Sequence, residues 1–126
     1  MADHSSIGDV ARAVGVSVEA LRYYEAEGLL APERDGGGRR RYSEVDVDQA
    51  RVITALREVG FGIREIAEVI AIKQDDDSPE ERIDAGLGIL ARLTERLDEK
   101  QAGIDAARQL CRRWESELRT ARELLG

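Results

Sequence analysis

Soft metal-ligating chemistry is almost absent from these 126 residues, which hold one cysteine and one histidine. Cys111 cannot close an internal disulfide, and with His4 it cannot complete a four-ligand zinc or copper site. An iron–sulfur centre, which takes several cysteines per cluster, is disfavoured on the same ground. No cofactor and no metal are expected. There are two prolines and 4% aromatics, a profile that suits helices packed through aliphatic side chains. No apolar run approaches the ~18 residues that cross a bilayer. The first ten residues lack the basic-then-apolar pattern of a secretory signal. The expectation is a soluble, cytoplasmic chain with no membrane partner. A nucleophile–base constellation and a phosphate-cradling glycine loop followed by lysine are also missing, so an enzyme is not expected.

An excess of positive charge is lacking as well. The formal net charge is −7. Residues 1–72 hold nine Arg against thirteen Asp or Glu, and residues 73–126 hold ten basic against thirteen acidic groups. Indiscriminate coating of nucleic acid is therefore disfavoured. Charge acts within a Debye length of ~8–10 Å, however, so placement matters more than the total. Four of the nine N-terminal arginines, Arg34, Arg39, Arg40 and Arg41, fall within eight positions.

What is present is helical punctuation. Ile7, Val10, Ala11 and Val14 share one face of a first helix, with Ser6 before it and Asp9 three residues after the serine. Gly15 interrupts, and a second helix is expected over residues 17–27 with Leu21 and Tyr24 inward. Two short helices around a glycine turn have the layout of a helix-turn-helix. Gly28 ends the second helix, and the segment 29–41, with Pro32 and three consecutive glycines, reads as a loop or hairpin. A third helix starts at Ser43-Glu44-Val45-Asp46, with Val45, Val52, Ile53, Leu56 and Val59 inward. A fourth follows Gly62 with Ile63, Ile66, Ala67, Ile70 and Ala71. Residues 74–78 form an acidic connector, and Ser78-Pro79-Glu80-Glu81 combines an N-cap, a first-position proline and a capping-box glutamate.

Beyond it runs a long helix whose apolar positions Ile83, Leu87, Leu90, Thr94, Leu97, Gln101 and Ile104 alternate by four and three, a heptad-like seam. After Ile104 the phase shifts, and Ala107, Cys111, Trp114, Leu118, Ala121 and Leu125 resume it. A kink or break near Gly103 would fit the phase shift, and whether the helix is continuous past it stays open. A helix of ~70 Å cannot bury such a stripe alone. The simplest partner is a second copy, which makes a homodimer through Ile83, Leu87, Leu90, Leu97, Ile104, Cys111, Trp114 and Leu118. The expected domains are 5–73, a 74–78 linker and a 79–126 dimerisation helix.

The second helix of a helix-turn-helix enters the major groove. Its leading face would present Ser17, Val18 and Glu19, with Arg22 and Tyr23 one turn on. Ser17 can donate to a phosphate or base, Val18 can meet a thymine methyl, and Glu19 can accept from cytosine while repelling phosphates. A solvated amphipathic helix with routine polar decoration fits the same residues. The next segment adds to the case: Gly36-Gly37-Gly38 gives a tight turn, then Arg39, Arg40 and Arg41 stand beside Tyr42. In a two-stranded wing, alternation sends Arg39 and Arg41 to one face and Arg40 to the other. Three arginines with no adjacent acid have little structural use, whereas guanidinium forks suit phosphate oxygens.

These residues carry a resemblance. Ile7-Gly8-Asp9-Val10-Ala11, Gly15-Val16-Ser17, Leu21-Arg22-Tyr23-Tyr24-Glu25, Gly28-Leu29-Leu30-Ala31-Pro32, Arg40-Arg41-Tyr42-Ser43 and the run from Leu56 through Phe61 to Ile66 resemble the MerR family signature in order and spacing, over about residues 5–72. The resemblance implies a mainly α fold, a winged helix-turn-helix followed by a long helix of the antiparallel coiled-coil dimerisation type. It places Arg22, Tyr23 and Arg40 at DNA-contacting positions and Gly38 at the wing turn. Arg39 departs from the aromatic or histidine many members have. It further implies a homodimer on promoter DNA that distorts an overlong spacer so that RNA polymerase can engage both elements, regulation through DNA shape. Activation and repression both stay open.

Family members usually read a signal near the two ends of the dimer helix, with cysteines in metal sensors. Here the start is Ser78-Pro79, and Cys111 falls on the seam, where a buried packing cysteine is expected. Asp75-Asp76-Asp77 reads as a solvated connector more readily than a hard-cation site, Trp114 as core, and His4 as a solvated terminal residue. A coiled-coil adaptor and a non-specific architectural DNA-binding protein are the competing function classes.

Overall fold

The computed structural model describes residues 4–72 and 79–126. The expected connector 74–78 and its N-cap Ser78 lie outside the described residues. The elements in chain order are β1 (His4–Ser5), α1 (Ile7–Val14), α2 (Val18–Ala26), β2 (Glu33–Arg34), β3 (Arg40–Ser43), α3 (Glu44–Glu58), α4 (Ile63–Ala71) and α5 (Pro79–Leu125). The chain divides into two units, one ending at Gly86 and the other beginning at Leu87.

In the first unit, helix boundaries follow side-chain chemistry. The Ser6 hydroxyl accepts from the Asp9 amide while the Asp9 carboxylate accepts from the Ser6 amide, a reciprocal cap that satisfies two orphan donors. Asp9 is held below its ordinary pKa chiefly by that serine. α1 stops at Gly15, whose φ of 82° lies in the left-handed region where only glycine is at ease. Ser43 and Asp46 repeat the reciprocal cap on α3.

Val10 and Ala11 of α1, Leu21 and Tyr24 of α2, Ala50, Ile53 and Leu56 of α3, and Ile66 and Ile70 of α4 are all buried. Each large aliphatic side chain so placed contributes about 1.5–3 kcal/mol relative to exposure. Leu29, Leu30 and Phe61, none of them singled out by periodicity, join this core. Both leucines follow the left-handed Gly28, which turns the chain inward after α2. Phe61 precedes the N-cap Gly62 of α4 and, with Ile66, occupies the positions of a hydrophobic staple.

Several expectations change. Val45 and Val59 are exposed rather than inward, at 63% and 42%. Seven-residue spacing aligns them with the half-buried Val52 along one edge of the helix, while the buried face is carried by Ala50, Ile53, Thr54 and Leu56. Ala67 and Ala71 of α4 are exposed, leaving Ile66 and Ile70 as its buried residues. The hairpin is a three-stranded sheet of order β1-β3-β2. His4 is not a solvated terminal residue: β1 pairs antiparallel with β3, His4 opposite Ser43 and Ser5 opposite Tyr42, leaving the imidazole half-buried.

α5 is one helix of 47 residues and passes through Gly103 without a break. At Gly86 a Cβ would stand 2.9 Å from Ile72 Cγ2, so this glycine permits a close approach. In the second unit Leu87, Leu90, Ile104, Trp114 and Leu118 are exposed, Leu97 is half-buried, and in the first unit Ile83 is exposed. Cys111, expected to be buried, is exposed, within a stretch of the helix whose residues from 101 onward are all exposed. No helix among the described residues is long and apolar enough to cross a membrane.

Candidate nucleic-acid interface

α1 and α2 pack together around the Gly15 turn, and the cap of α2 is Ser17, whose hydroxyl accepts from the Ala20 amide at 3.0 Å. The cap fixes Ser17 in extended backbone and leaves its O–H able to donate outward. Val18 is half-buried and Glu19 exposed. With Leu21 and Tyr24 pointing into the core, Arg22 and Tyr23 are left outward. Arg22 Nη1 donates to Glu19 Oε1 at 2.7 Å, an exposed pair that exchanges easily with solvent or another anion. The Arg57 guanidinium, from the last turn of α3, stands 6.0 Å from the Tyr23 ring centroid. This cation–π contact was invisible in sequence, since 34 positions separate the two residues.

The wing turn is built by Asp35. Its Oδ1 accepts from the Gly37 and Arg39 amides at 2.8 and 3.0 Å, while its backbone exchanges bonds with Arg39 and Gly38. Those amide donors, Arg39 first, hold the Asp35 carboxyl below its ordinary range. Gly38 has φ of 80°, the left-handed geometry this turn demands. Glu33 pairs with Arg41 and Arg34 with Arg40 in the β2–β3 register.

The arginines divide as a strand's alternation requires. Arg39 and Arg41 are exposed, and Arg41 Nη2 lies 3.5 Å from His4 Nδ1. Arg40 turns to the other side, half-buried, with Nε donating to Glu25 Oε2. Arg34 Nη2 donates to Glu25 Oε1 at 2.9 Å, and Arg34 Nη1 to the Gly38 carbonyl at 3.1 Å. Glu25 pushes the Arg40 pKa up, chiefly through that hydrogen bond. The expectation that these arginines have no adjacent acid is therefore corrected. Glu25 lies nine positions before Arg34 and fifteen before Arg40, too far for any local pattern to reveal it.

A second correction concerns Tyr42. Expected at the DNA surface, it is fully buried beneath β3, and burial raises its phenol pKa. Alternation explains this, since Tyr42 shares the inward side of the strand with Arg40.

A capped helix pair with an outward arginine–tyrosine dipeptide, tied to a glycine-turned arginine strand, defines the winged helix-turn-helix class. Residues 5–72 match the MerR HTH family regulatory proteins, and the chain belongs to that family. It is 39% identical over 72 residues to a mercuric resistance operon regulatory protein of Pseudomonas fluorescens, covering 56% of this chain and 50% of that protein. The chain thus spans about half the length of the mercuric resistance relatives it matches. Among solved structures it is similar to HiNmlR, a MerR family regulator lacking the sensor domain and bound to promoter DNA. The TM-score is 0.59 at 25% identity, covering 81% of this chain and 82% of that one. A MerR family regulator of Listeria monocytogenes shares the fold with TM-score 0.64 at 24% identity, over 96% and 93% of the two chains.

Proposed function

We propose that this chain is a sequence-specific DNA-binding transcription regulator that acts as a homodimer at promoters. The observation that carries the reading is the wing. In a unit of net negative charge, Arg39 and Arg41 are directed outward beside a rigid turn. Ser17, Val18, Glu19, Arg22 and Tyr23 on α2 take the groove. Arg34, Gly38, Arg39, Arg40 and Arg41 form the flanking phosphate site, with Arg34 and Arg40 also engaged by Glu25. Tyr42 acts from beneath the strand and does not touch DNA. The likeness to a promoter-bound family member supports the same partner.

The domain assignment is 5–73 for DNA binding and 79–126 for dimerisation. The exposed apolar side chains of α5, with Trp114 at 64% and Leu118 at 70%, support pairing of that helix with a second copy. On double-stranded promoter DNA the dimer would distort an overlong spacer and so present both promoter elements to RNA polymerase, a mechanism read from the family. No enzymatic activity and no resident cofactor or metal is proposed, and the site of action is the cytoplasm.

The experiment is selection of bound fragments from genomic DNA with purified protein. The reading predicts one enriched, two-fold-related sequence lying between promoter elements, with Arg40→Ala weakening all binding. Recovery of random fragments would point to an architectural protein. Recovery of none, together with a helical protein partner in a pull-down, would point to an adaptor.

A further inference from the structure

The Glu25 carboxylate accepts from Arg34 Nη2 through one oxygen and from Arg40 Nε through the other. Arg34 also reaches the Gly38 carbonyl of the wing turn. One side chain of α2 thereby holds β2, β3 and the turn between them. The Glu25 and Arg40 side chains are only 22% and 23% exposed, so the bond between them is screened less than a surface pair, whereas Arg34 is 46% exposed. β2 has two residues and β3 four, too short for the strands to hold a fixed angle by themselves.

Seen only as charge, Glu25 is unfavourable on a surface meant for phosphates, because it neutralises one guanidinium and repels the backbone. Its geometry gives a return for that cost. Bases are read by α2 and phosphates are gripped by the wing, and discrimination requires both sets to meet one duplex in a single register. We infer that Glu25 is the positioning residue of the DNA-contact surface. By clamping Arg34 and Arg40 to α2 it fixes the wing against the reading helix, and so sets sequence discrimination rather than affinity as such. The inference rests on the DNA-binding function proposed above.

Charge and positioning predict opposite signs, which makes the test direct. Full-length wild type, Glu25→Ala, Glu25→Gln, Arg34→Gln and the Glu25→Ala/Arg34→Gln double variant are titrated with two duplexes. One is the sequence enriched by wild type, the other a random sequence of equal length. With positioning, Glu25→Ala loses roughly ten-fold on the enriched duplex, the size of one charge-assisted clamp. It binds the random duplex as tightly as wild type or tighter. Glu25→Gln, which keeps length and one acceptor, recovers part of the discrimination. Adding Arg34→Gln to Glu25→Ala costs less than Arg34→Gln alone, because the two share one interaction. If Glu25→Ala loses its helical circular dichroism, the isosteric Glu25→Gln carries the comparison, with a smaller fall in the enriched-to-random ratio. Undiminished discrimination in a folded Glu25 variant overturns the inference and leaves DNA binding standing. Failure of wild type itself to distinguish the two duplexes overturns the function on which the inference rests.

Discussion

Three neighbours on β3 have three different surroundings: Arg40 is tucked against Glu25, Arg41 is exposed beside His4, and Tyr42 is sealed in the core. The Tyr42 hydroxyl finds no hydrogen-bond partner among the described residues. Removing it should cost little, since an unsatisfied buried hydroxyl is itself a penalty of about 1–3 kcal/mol. Tyr42→Phe is expected to match or exceed wild type in urea unfolding and to keep DNA affinity, whereas Tyr42→Ala should lose about 3–5 kcal/mol. Weakened DNA binding by a fully stable Tyr42→Phe would return the phenol to the interface. The arginine cluster was legible in the sequence because its members are adjacent. Glu25 and Arg57 were not, because their partners lie nine or more positions away and meet only when the helices pack.

At the scale of elements, caps and glycines decided what could be read in advance. α1 starts and stops where Ser6 and Gly15 dictate, and α3 starts where Ser43 does. β1 has two residues and no periodicity, so nothing local announces it, and its pairing with β3 depends on tertiary placement. Continuity past Gly103 is open from the sequence alone; the glycine's cost of up to ~1 kcal/mol is small against the surrounding helix, which continues. The glycines of α5 are therefore not equivalent. Around Gly103 nothing stands within 4 Å of an added Cβ, so Gly103→Ala should raise stability by about 0.5–1 kcal/mol. Gly86→Ala carries the same propensity gain but meets Ile72 at 2.9 Å, and overpacking of about 1–3 kcal/mol should make it less stable than wild type. Thermal melts of the two variants check the pair, and equal gains would refute the close approach at Gly86.

At the scale of the whole molecule, a net charge of −7 and a DNA-binding role are compatible because charge is sorted locally. Acid is spread over both halves, while Arg39 and Arg41 are exposed at the wing and Arg34 and Arg40 are steadied by a single carboxylate. Under the proposed function the acidic total would limit non-specific binding, and a two-fold site read by two copies would supply the missing affinity. In that proposal the exposed apolar side chains of α5 would make the pairing, and Cys111, exposed in the single chain, would lie along the same seam. The most direct test of a dimeric, sequence-reading regulator is a stoichiometric titration of the genomically enriched duplex, repeated across a range of salt. Expected are two chains per duplex, steep weakening with salt, a clear preference over a random duplex, and weaker binding of both duplexes by Arg40→Ala. One chain per duplex, or equal affinity for enriched and random sequence at every salt concentration, would contradict it.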